Sequence, residues 1–310
     1  MTANVLFAGR PESWPIYAPL LKAEFARLGV DASVHTEFAP AKVDYIVYAP
    51  SGPISDFSPF TRLKAVLSMW AGVEKIVPAV PAAIPLTRMV DSGLEQGMTE
   101  WVAGHTLRYH LGMDAHILGQ NGHWDPKAPP LAKDRCVTVL GLGALGTAAA
   151  KTLAALGFQV AGWSRTRKHI DGVICHSGGD GLKSALAQAE IVILLLPDTP
   201  ATENTLNAET LAMLPRGARI INPGRGPLID DDALLSALNS GQIGHATLDV
   251  FRIEPLPPGH PYWTHPNVTV TPHIASETRE STAAQVIAEN IRRSEAGEPL
   301  LHLVDRSLGY

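Results

Sequence analysis

A chain of 310 residues, 45% hydrophobic and 18% charged, has room for two ordinary domains with their own cores and is unlike a disordered chain in composition. A mean hydropathy of +0.06 and a longest apolar run of only residues 191–196 exclude a helical membrane protein. The formal net charge of −5 gives no global attraction to nucleic acid or to an anionic membrane surface, so the local run of cations at 165–168 needs its own explanation.

The N-terminus passes directly into a strand at residues 5–8, Val-Leu-Phe-Ala. No basic segment or long apolar stretch precedes it, so no signal peptide is expected. Apolar residues at helical spacing predict a helix over Trp14–Leu28, and strands follow at Tyr45–Tyr48 and at 65–69, each leading into a turn with Gly or Pro. That alternation implies a parallel sheet. A helical run over about 98–118 comes next. The Pro-rich connection after it, from Trp124-Asp125-Pro126 to Pro129-Pro130, cannot be regular structure. A second alternation then begins, with strands at Cys136–Leu140, 160–163, 191–196, 219–222, 246–250 and 268–271, and helices between them such as 146–156 and 231–240. This is the pattern of a doubly wound parallel sheet.

A last helix, at about 279–297, has no strand left to pair with and is expected to return to the first domain. That would make residues 1–97 plus 277–310 one domain and 98–276 the other. Of the two cysteines, Cys136 opens a strand and reads as a buried apolar residue. Cys175 falls beside Ser177-Gly178-Gly179, in an expected turn. Without a cysteine framework, a reducing cytoplasm is the expected compartment.

Gly141-Leu142-Gly143-Ala144-Leu145-Gly146 follows an apolar strand directly and opens an Ala-rich helix, the context that a GxGxxG dinucleotide fingerprint needs. Gly141 allows the tight turn, Gly143 a close approach to pyrophosphate, and Gly146 close packing of helix on strand. The helix N-terminus offers N–H groups to the phosphates. A plain Gly-rich turn is the bland alternative. At the end of the next strand an acidic residue would usually meet the adenosine ribose. Here the run is Trp163-Ser164-Arg165-Thr166-Arg167-Lys168, with no acid. Arginines attract a ribose 2′-phosphate, and Ser164 and Thr166 add hydroxyls, which points to NADP(H) over NAD(H). The competing possibility is a solvated basic turn.

Three further residues lie just past strands, where α/β enzymes gather their chemistry. Arg225 stands in Asn222-Pro223-Gly224-Arg225-Gly226, Glu254 in Phe251-Arg252-Ile253-Glu254-Pro255-Leu256, and His273 in Thr271-Pro272-His273-Ile274-Ala275. An arginine can fix a carboxylate, a histidine can protonate an oxygen, and a glutamate paired to that histidine would keep it protonated near neutrality. Taken singly, each has a structural alternative: a loop cap, a surface acid, a satisfied histidine. His105 and His110 are five residues apart and no HExxH occurs, so no metal is expected.

The runs Leu196-Pro197-Asp198-Thr199-Pro200-Ala201-Thr202, Asn222 to Gly226, Leu248-Asp249-Val250-Phe251 with Glu254-Pro255-Leu256, and Thr271-Pro272-His273 together resemble the D-isomer-specific 2-hydroxyacid dehydrogenases. The whole length, including the basic run and the ending Val304-Asp305-Arg306 … Gly309-Tyr310, is most similar to their glyoxylate/hydroxypyruvate reductase A branch.

The resemblance implies a Rossmann-type nucleotide domain and a smaller flavodoxin-like substrate domain formed by both chain ends. It implies Arg225 as the substrate-orienting arginine, His273 as acid/base and Glu254 as its partner. Leu196, Pro197 and Thr202 would line the cofactor, and Asp249 would contact the nicotinamide carboxamide. The backbone of Trp70-Ala71-Gly72 would hold the substrate carboxylate. The implied reaction is hydride transfer from NADPH to a small 2-keto acid such as glyoxylate or hydroxypyruvate, with domain closure about hinges near Gly97 and Ser276 and a homodimer built on the nucleotide domain. Two departures stand out. Pro223-Gly224 replaces the more usual Ala or Ser before the arginine, and Trp70 occupies a place commonly filled by something small, either walling the pocket or packing away from it. Other dehydrogenases of the family, of phosphoglycerate or lactate type, are the alternatives within the enzymes; formate dehydrogenase fits the cofactor branch and length poorly. The C-terminal-binding-protein relatives, nicotinamide-sensing corepressors on the same fold, are the non-enzymatic alternative.

Overall fold

The computed structural model describes residues 2–124 and 126–309. Asp125 of the Pro-rich connection and Tyr310 of the ending lie outside the described residues, as does Met1. The chain divides into two compact units, Met1–Leu94 with Glu277–Tyr310, and Glu95–Ser276.

The first unit opens with β1 (Ala3–Ala8), α1 (Trp14–Leu28), β2 (Ala32–His35), β3 (Tyr45–Tyr48), β4 (Ala65–Ser68) and β5 (Leu86–Thr87). The division between the units falls inside α2 (Ser92–His110). The second unit continues with α3 (Met113–Leu118), β6 (Cys136–Leu140), α4 (Ala144–Ala155), β7 (Gln159–Ser164), β8 (Val173–Ser177), α5 (Gly178–Leu186) and β9 (Ile191–Leu194). It ends with α6 (Ala208–Ala212), β10 (Ala218–Asn222), α7 (Asp231–Asn239), β11 (Ile243–Leu248) and β12 (Val268–Val270). A final helix, α8 (Glu280–Glu295), belongs to the first unit.

Both sheets are parallel throughout. The first runs β2-β1-β3-β4-β5 and the second β12-β11-β10-β9-β6-β7-β8. Each therefore reverses its winding once, at β1/β3 in the first and at β6/β9 in the second, and the crevice at such a reversal is where doubly wound sheets bind ligands.

Sequence chemistry accounts for the first unit's core. β3 is buried at all four positions, the signature of a strand covered on both faces. Tyr17, Leu21 and Phe25 recur at four-residue intervals and form the buried stripe of α1. Gly29 ends that helix at φ 65, a left-handed cap that suits glycine. α8 closes the same core with Ala283, Ala284, Ile287, Ala288 and Ile291, packed among Val5, Phe7, Leu21 and Tyr45.

Several expected boundaries move. The helix expected over 98–118 starts earlier and breaks at Leu111 and Gly112, because Gly112 takes φ 63, and only α3 continues beyond it. The strand expected over 191–196 stops at Leu194, and that expected over 246–250 stops at Leu248, so Asp249 stands outside the sheet. Cys175 is not in a turn but within β8, a sheet-edge strand that sequence patterning missed because its burial is only partial. Cys136 is half-buried, its thiol 3.5 Å from Gln159 Oε1, rather than fully buried. β2 and β5 were also not expected, whereas α5 and α6 fall between strands as the alternation implies.

Candidate active site

The turn between β6 and α4 requires its glycines. Gly141 sits at φ 106, and a Cβ there would lie 2.4 Å from the Leu195 carbonyl oxygen. At Gly146 a Cβ would lie 1.7 Å from the Gly141 oxygen. Gly143 caps α4 without a side-chain hydrogen bond, and a Cβ placed on it would meet no atom within 4 Å. Gly143 and Ala144 are exposed, so the first turn of α4, at the positive end of the helix dipole, is an open cradle that fits a pyrophosphate.

Beside this cradle β7 ends at Ser164, whose buried hydroxyl donates to the Thr166 carbonyl (2.8 Å) and so shapes the turn. The Trp163 indole N–H donates to the Gly178 carbonyl (2.8 Å), fixing the strand end from the other side. Arg165, Thr166, Arg167 and Lys168 are all exposed. Arg167 and Lys168 also line a concavity of about 390 Å³ with His169, Val173 and Cys175. On the far side of the crevice Leu196 is buried, and the Thr202 hydroxyl donates to the Pro197 carbonyl (2.6 Å) while accepting from Thr199 N–H (3.0 Å). Thr202 therefore ties its own turn together.

The catalytic candidates converge in the second unit. β10 ends at Asn222, which is 1% exposed; its Oδ1 accepts from Gly224 N–H (3.1 Å) and its Nδ2 donates to the Arg225 carbonyl (2.9 Å). This side-chain turn fixes the loop that carries Arg225. A Cβ on Gly224 would lie 2.7 Å from the Leu194 oxygen, and one on Gly226 only 2.0 Å from the Phe251 carbonyl carbon. The Arg225 loop therefore rests directly on the backbone that leads to Glu254.

Glu254 Oε1 accepts from Phe251 N–H (2.9 Å), and Oε2 lies 2.8 Å from His273 Nδ1. The Glu254 hydrogen bond raises the His273 pKa above the ordinary histidine value, against partial burial; the charges of Glu254 and Asp249 raise it further, and Arg225 opposes. Burial alone would raise Glu254. The hydrogen bonds from His273 and Phe251 N–H, with the charges of His273 and Arg225, outweigh it and hold the carboxylate below its usual value. Both shifts favour an imidazolium–carboxylate pair. The imidazole is half-exposed, so this pair can deliver a proton to a bound oxygen.

Asp249 stands just past β11, buried against the loop after β12. Its exposure is 0%, and its carboxylate accepts from the Thr271 hydroxyl (2.6 Å) and from Ile274 and Ala275 N–H (2.9 and 2.8 Å).

In the first unit, the turn after β4 is built around Ser68, which is 1% exposed: its hydroxyl accepts from Trp70 N–H and donates to the Trp70 carbonyl, both at 3.0 Å. Met89 N–H and the Thr278 hydroxyl hold the same turn through the carbonyls of Trp70 and Met69 (2.9 and 3.0 Å). Trp70 itself is 42% exposed, and Ala71 and Gly72 are partly exposed. The indole is therefore not a core-packing residue. Among the described residues, no group of three His, Cys, Asp or Glu could hold a metal ion.

A family model described as "D-isomer specific 2-hydroxyacid dehydrogenase, NAD binding domain" matches residues 105–275, more than half of the chain. The chain belongs to the D-isomer-specific 2-hydroxyacid dehydrogenase family. A relative named glyoxylate/hydroxypyruvate reductase A, from Serratia proteamaculans, is 42% identical over 257 residues, covering 80% of this chain and 82% of the relative. Among solved structures, a D-isomer specific 2-hydroxyacid dehydrogenase from Xanthobacter autotrophicus, in complex with NADPH and MES, is similar with a TM-score of 0.93 and 42% identity over the full length of both chains. The NADPH-dependent glyoxylate/hydroxypyruvate reductase of Sinorhizobium meliloti, in complex with NADP and sulfate, gives a TM-score of 0.86 and 35% identity, again over both full lengths.

In this dehydrogenase the Pro223-Gly224 pair has a local explanation, since the loop passes too close to the Leu194 carbonyl for a side chain at 224. Sequence reasoning missed two supports of the site. Asn222 carried a signal, being an Asn before Pro-Gly at a strand end, the composition of a side-chain turn. Arg252 carried none: its guanidinium donates to the carbonyl of Ile229 (2.7 Å) and to that of Pro227 (3.3 Å), joining the Glu254 loop to the loop after Arg225.

Proposed function

We propose that the protein reduces small 2-keto acids, glyoxylate and hydroxypyruvate among them, to glycolate and D-glycerate with NADPH. The observation that carries this reading is the His273–Glu254 pair at 2.8 Å, with Arg225 on a loop packed against it, in the same unit as a phosphate cradle flanked by cations. Gly143 with the α4 N-terminus would hold the pyrophosphate, and Arg165 and Arg167, with Thr166 and Lys168, the ribose phosphate. A bound nicotinamide supplies the hydride. His273 then places a proton on the keto oxygen, held as imidazolium by Glu254, while Arg225 orients the substrate and offsets its charge. The substrate carboxylate is assigned to the backbone of Trp70, Ala71 and Gly72. Relatives of known structure in complex with NADPH or NADP support the cofactor.

Two copies are proposed to join through the second unit, where Ile117, Leu118 and Trp124 are 65%, 80% and 89% exposed. A cytoplasmic location is proposed on the two free cysteines.

The decisive experiment follows NADPH absorbance with glyoxylate and hydroxypyruvate for the wild type and His273→Ala. Turnover is expected to fall by at least about 100-fold in the variant, with NADPH binding unchanged. A variant that reduces keto acids at the wild-type rate would reject the assignment, and a wild type that binds NADPH without turnover would favour a sensing role.

A further inference from the structure

We propose that the chain ending braces the turn that holds the substrate carboxylate, with Arg306 as its positioning residue. The proposal rests on the assignment of that carboxylate to the backbone of Trp70, Ala71 and Gly72. These residues open the connection between the parallel strands β4 and β5, which contains no helix. A parallel crossover normally carries one, and without it the backbone carbonyls of the connection need other partners. Two irregular turns continue directly from Gly72. The Val73 carbonyl accepts from Ile76 and Val77 N–H, both at 2.8 Å, and the Ile76 carbonyl from Ala79 and Val80 N–H (3.0 and 3.1 Å).

The carbonyls that follow converge on one side chain. Arg306 Nη1 donates to the carbonyls of Val77 and Val80 (3.1 and 2.9 Å), and Nη2 to those of Pro81 and Ile84 (3.1 and 2.9 Å). A planar guanidinium fork fixes the relative positions of its acceptors, and its bonds are charge-assisted. The residues before it deliver it to this place. Thr87 of β5 pairs antiparallel with Leu303, while Arg88 N–H donates to the His302 carbonyl (3.0 Å) and Val304 N–H to the Leu86 carbonyl (2.9 Å). Val304 is 7% exposed and lies in the same core as Val73, Ile76 and Val80. The ending thus grips the connection twice, through an apolar anchor and a polar one.

Ser68, Met89 N–H and the Thr278 hydroxyl already hold the other end of the substrate turn. Trp70, Ala71 and Gly72 therefore lie in a stretch pinned on both sides. Removing the fork releases the downstream side, and the backbone of Ala71 and Gly72 loses its fixed direction. Arg306 acts through this backbone, without touching substrate.

The test compares purified Arg306→Ala and Arg306→Lys with the wild type. It measures KM and kcat for glyoxylate at saturating NADPH, NADPH affinity by fluorescence titration, thermal melting, and amide exchange at Ile76, Val77 and Val80. Arg306→Ala is expected to raise KM by about tenfold with kcat and NADPH affinity within about threefold, the pattern of lost substrate binding. Lysine offers a point charge in place of a fork, so Arg306→Lys should raise KM by about threefold. Millimolar guanidinium should return the KM of Arg306→Ala towards the wild-type value, and sodium chloride at the same concentration should not.

A folded Arg306→Ala with wild-type KM would overturn the proposal, whatever its melting temperature, because a merely structural arginine moves only the melt. Amide exchange then tells which part failed. Faster exchange with unchanged KM removes the carboxylate assignment, and unchanged exchange removes the brace. Should Arg306→Ala fail to fold, Arg306→Lys decides by the same measurements. A wild type that reduces no keto acid would reject the functional reading by itself, and exchange in the two variants would still judge the brace.

Discussion

Replacing Gly226 by alanine puts a methyl carbon where the neighbouring loop already has its backbone. That carbon would lie 2.0 Å from the Phe251 carbonyl carbon and 2.4 Å from Arg252 N, whereas ordinary contact begins at 3.4 Å, so the two loops must part by 3.4 − 2.0 = 1.4 Å. Backbone atoms cannot rotate aside as a flexible side chain would. The separation therefore passes to Arg225 on one loop and to Glu254, with its partner His273, on the other. A misplacement of about 1 Å can cost about 100-fold in rate, and strained overpacking costs about 1–3 kcal/mol of stability. The assay is steady-state reduction of glyoxylate by purified Gly226→Ala, with an NADPH titration and a thermal melt on the same sample. The rate constant should fall by about 100-fold. NADPH affinity should hold, because the cradle belongs to β6 and α4. A folded variant with wild-type kcat/KM would refute the packed-loop reasoning, and a rate loss accounted for entirely by lost NADPH binding would do the same.

Glu254→Gln should move the alkaline fall of kcat/KM to lower pH. Reduction needs the imidazolium, which persists below a folded-state pKa that the glutamate raises and is lost as pH rises through it; an unmoved limb would remove Glu254 from the mechanism. The same pair should stabilise the fold most between the ordinary glutamate and histidine values. Its carboxylate contribution fades as pH falls through the depressed Glu254 value, and its imidazolium contribution as pH rises through the elevated His273 value, which urea midpoints of the wild type and Glu254→Gln across pH would report. Arg165→Ala with Arg167→Ala should weaken NADPH much more than NADH, and increasingly so at low salt; an unchanged preference between the two would return the basic run to a solvated turn. Ile117→Asp should convert a two-copy species into single chains in sedimentation. A wild type that sediments as one chain would reject that surface as the interface.

Buried parallel strands were legible because both faces are covered, so Tyr45–Tyr48 and Cys136–Leu140 read as continuous apolar runs with turn residues behind them. β2 and β8 lie at sheet edges with only partial burial, and their mixed composition carried too little apolar signal against the flanking glycines. The helix break at Gly112 depended on a glycine that sequence alone allows to sit inside a helix. In the site, Arg225, Glu254 and His273 could be named because each follows a strand end, and the structure brings Glu254 and His273 into contact. What Asp249 touches was not legible. Its partners come from the loop some two dozen residues downstream, and nothing in a Leu-Asp-Val run tells whether the carboxylate faces outward to a ligand or inward to backbone amides.

The seating of α8 among β1, β3 and α1 also has a temporal side. During synthesis, the strands that form this core leave the ribosome first, yet the helix that covers them emerges only after the whole of Glu95–Ser276 has been made. At about 5–20 residues per second, the N-terminal segment waits roughly 10–40 s for the α8 residues that complete the core around Val5, Phe7 and Tyr45, while the later unit can already close on itself. The second unit is thus expected to finish first although it comes second in the chain. A nascent chain halted before Glu280 should be cut by protease in its first 94 residues and protected beyond them.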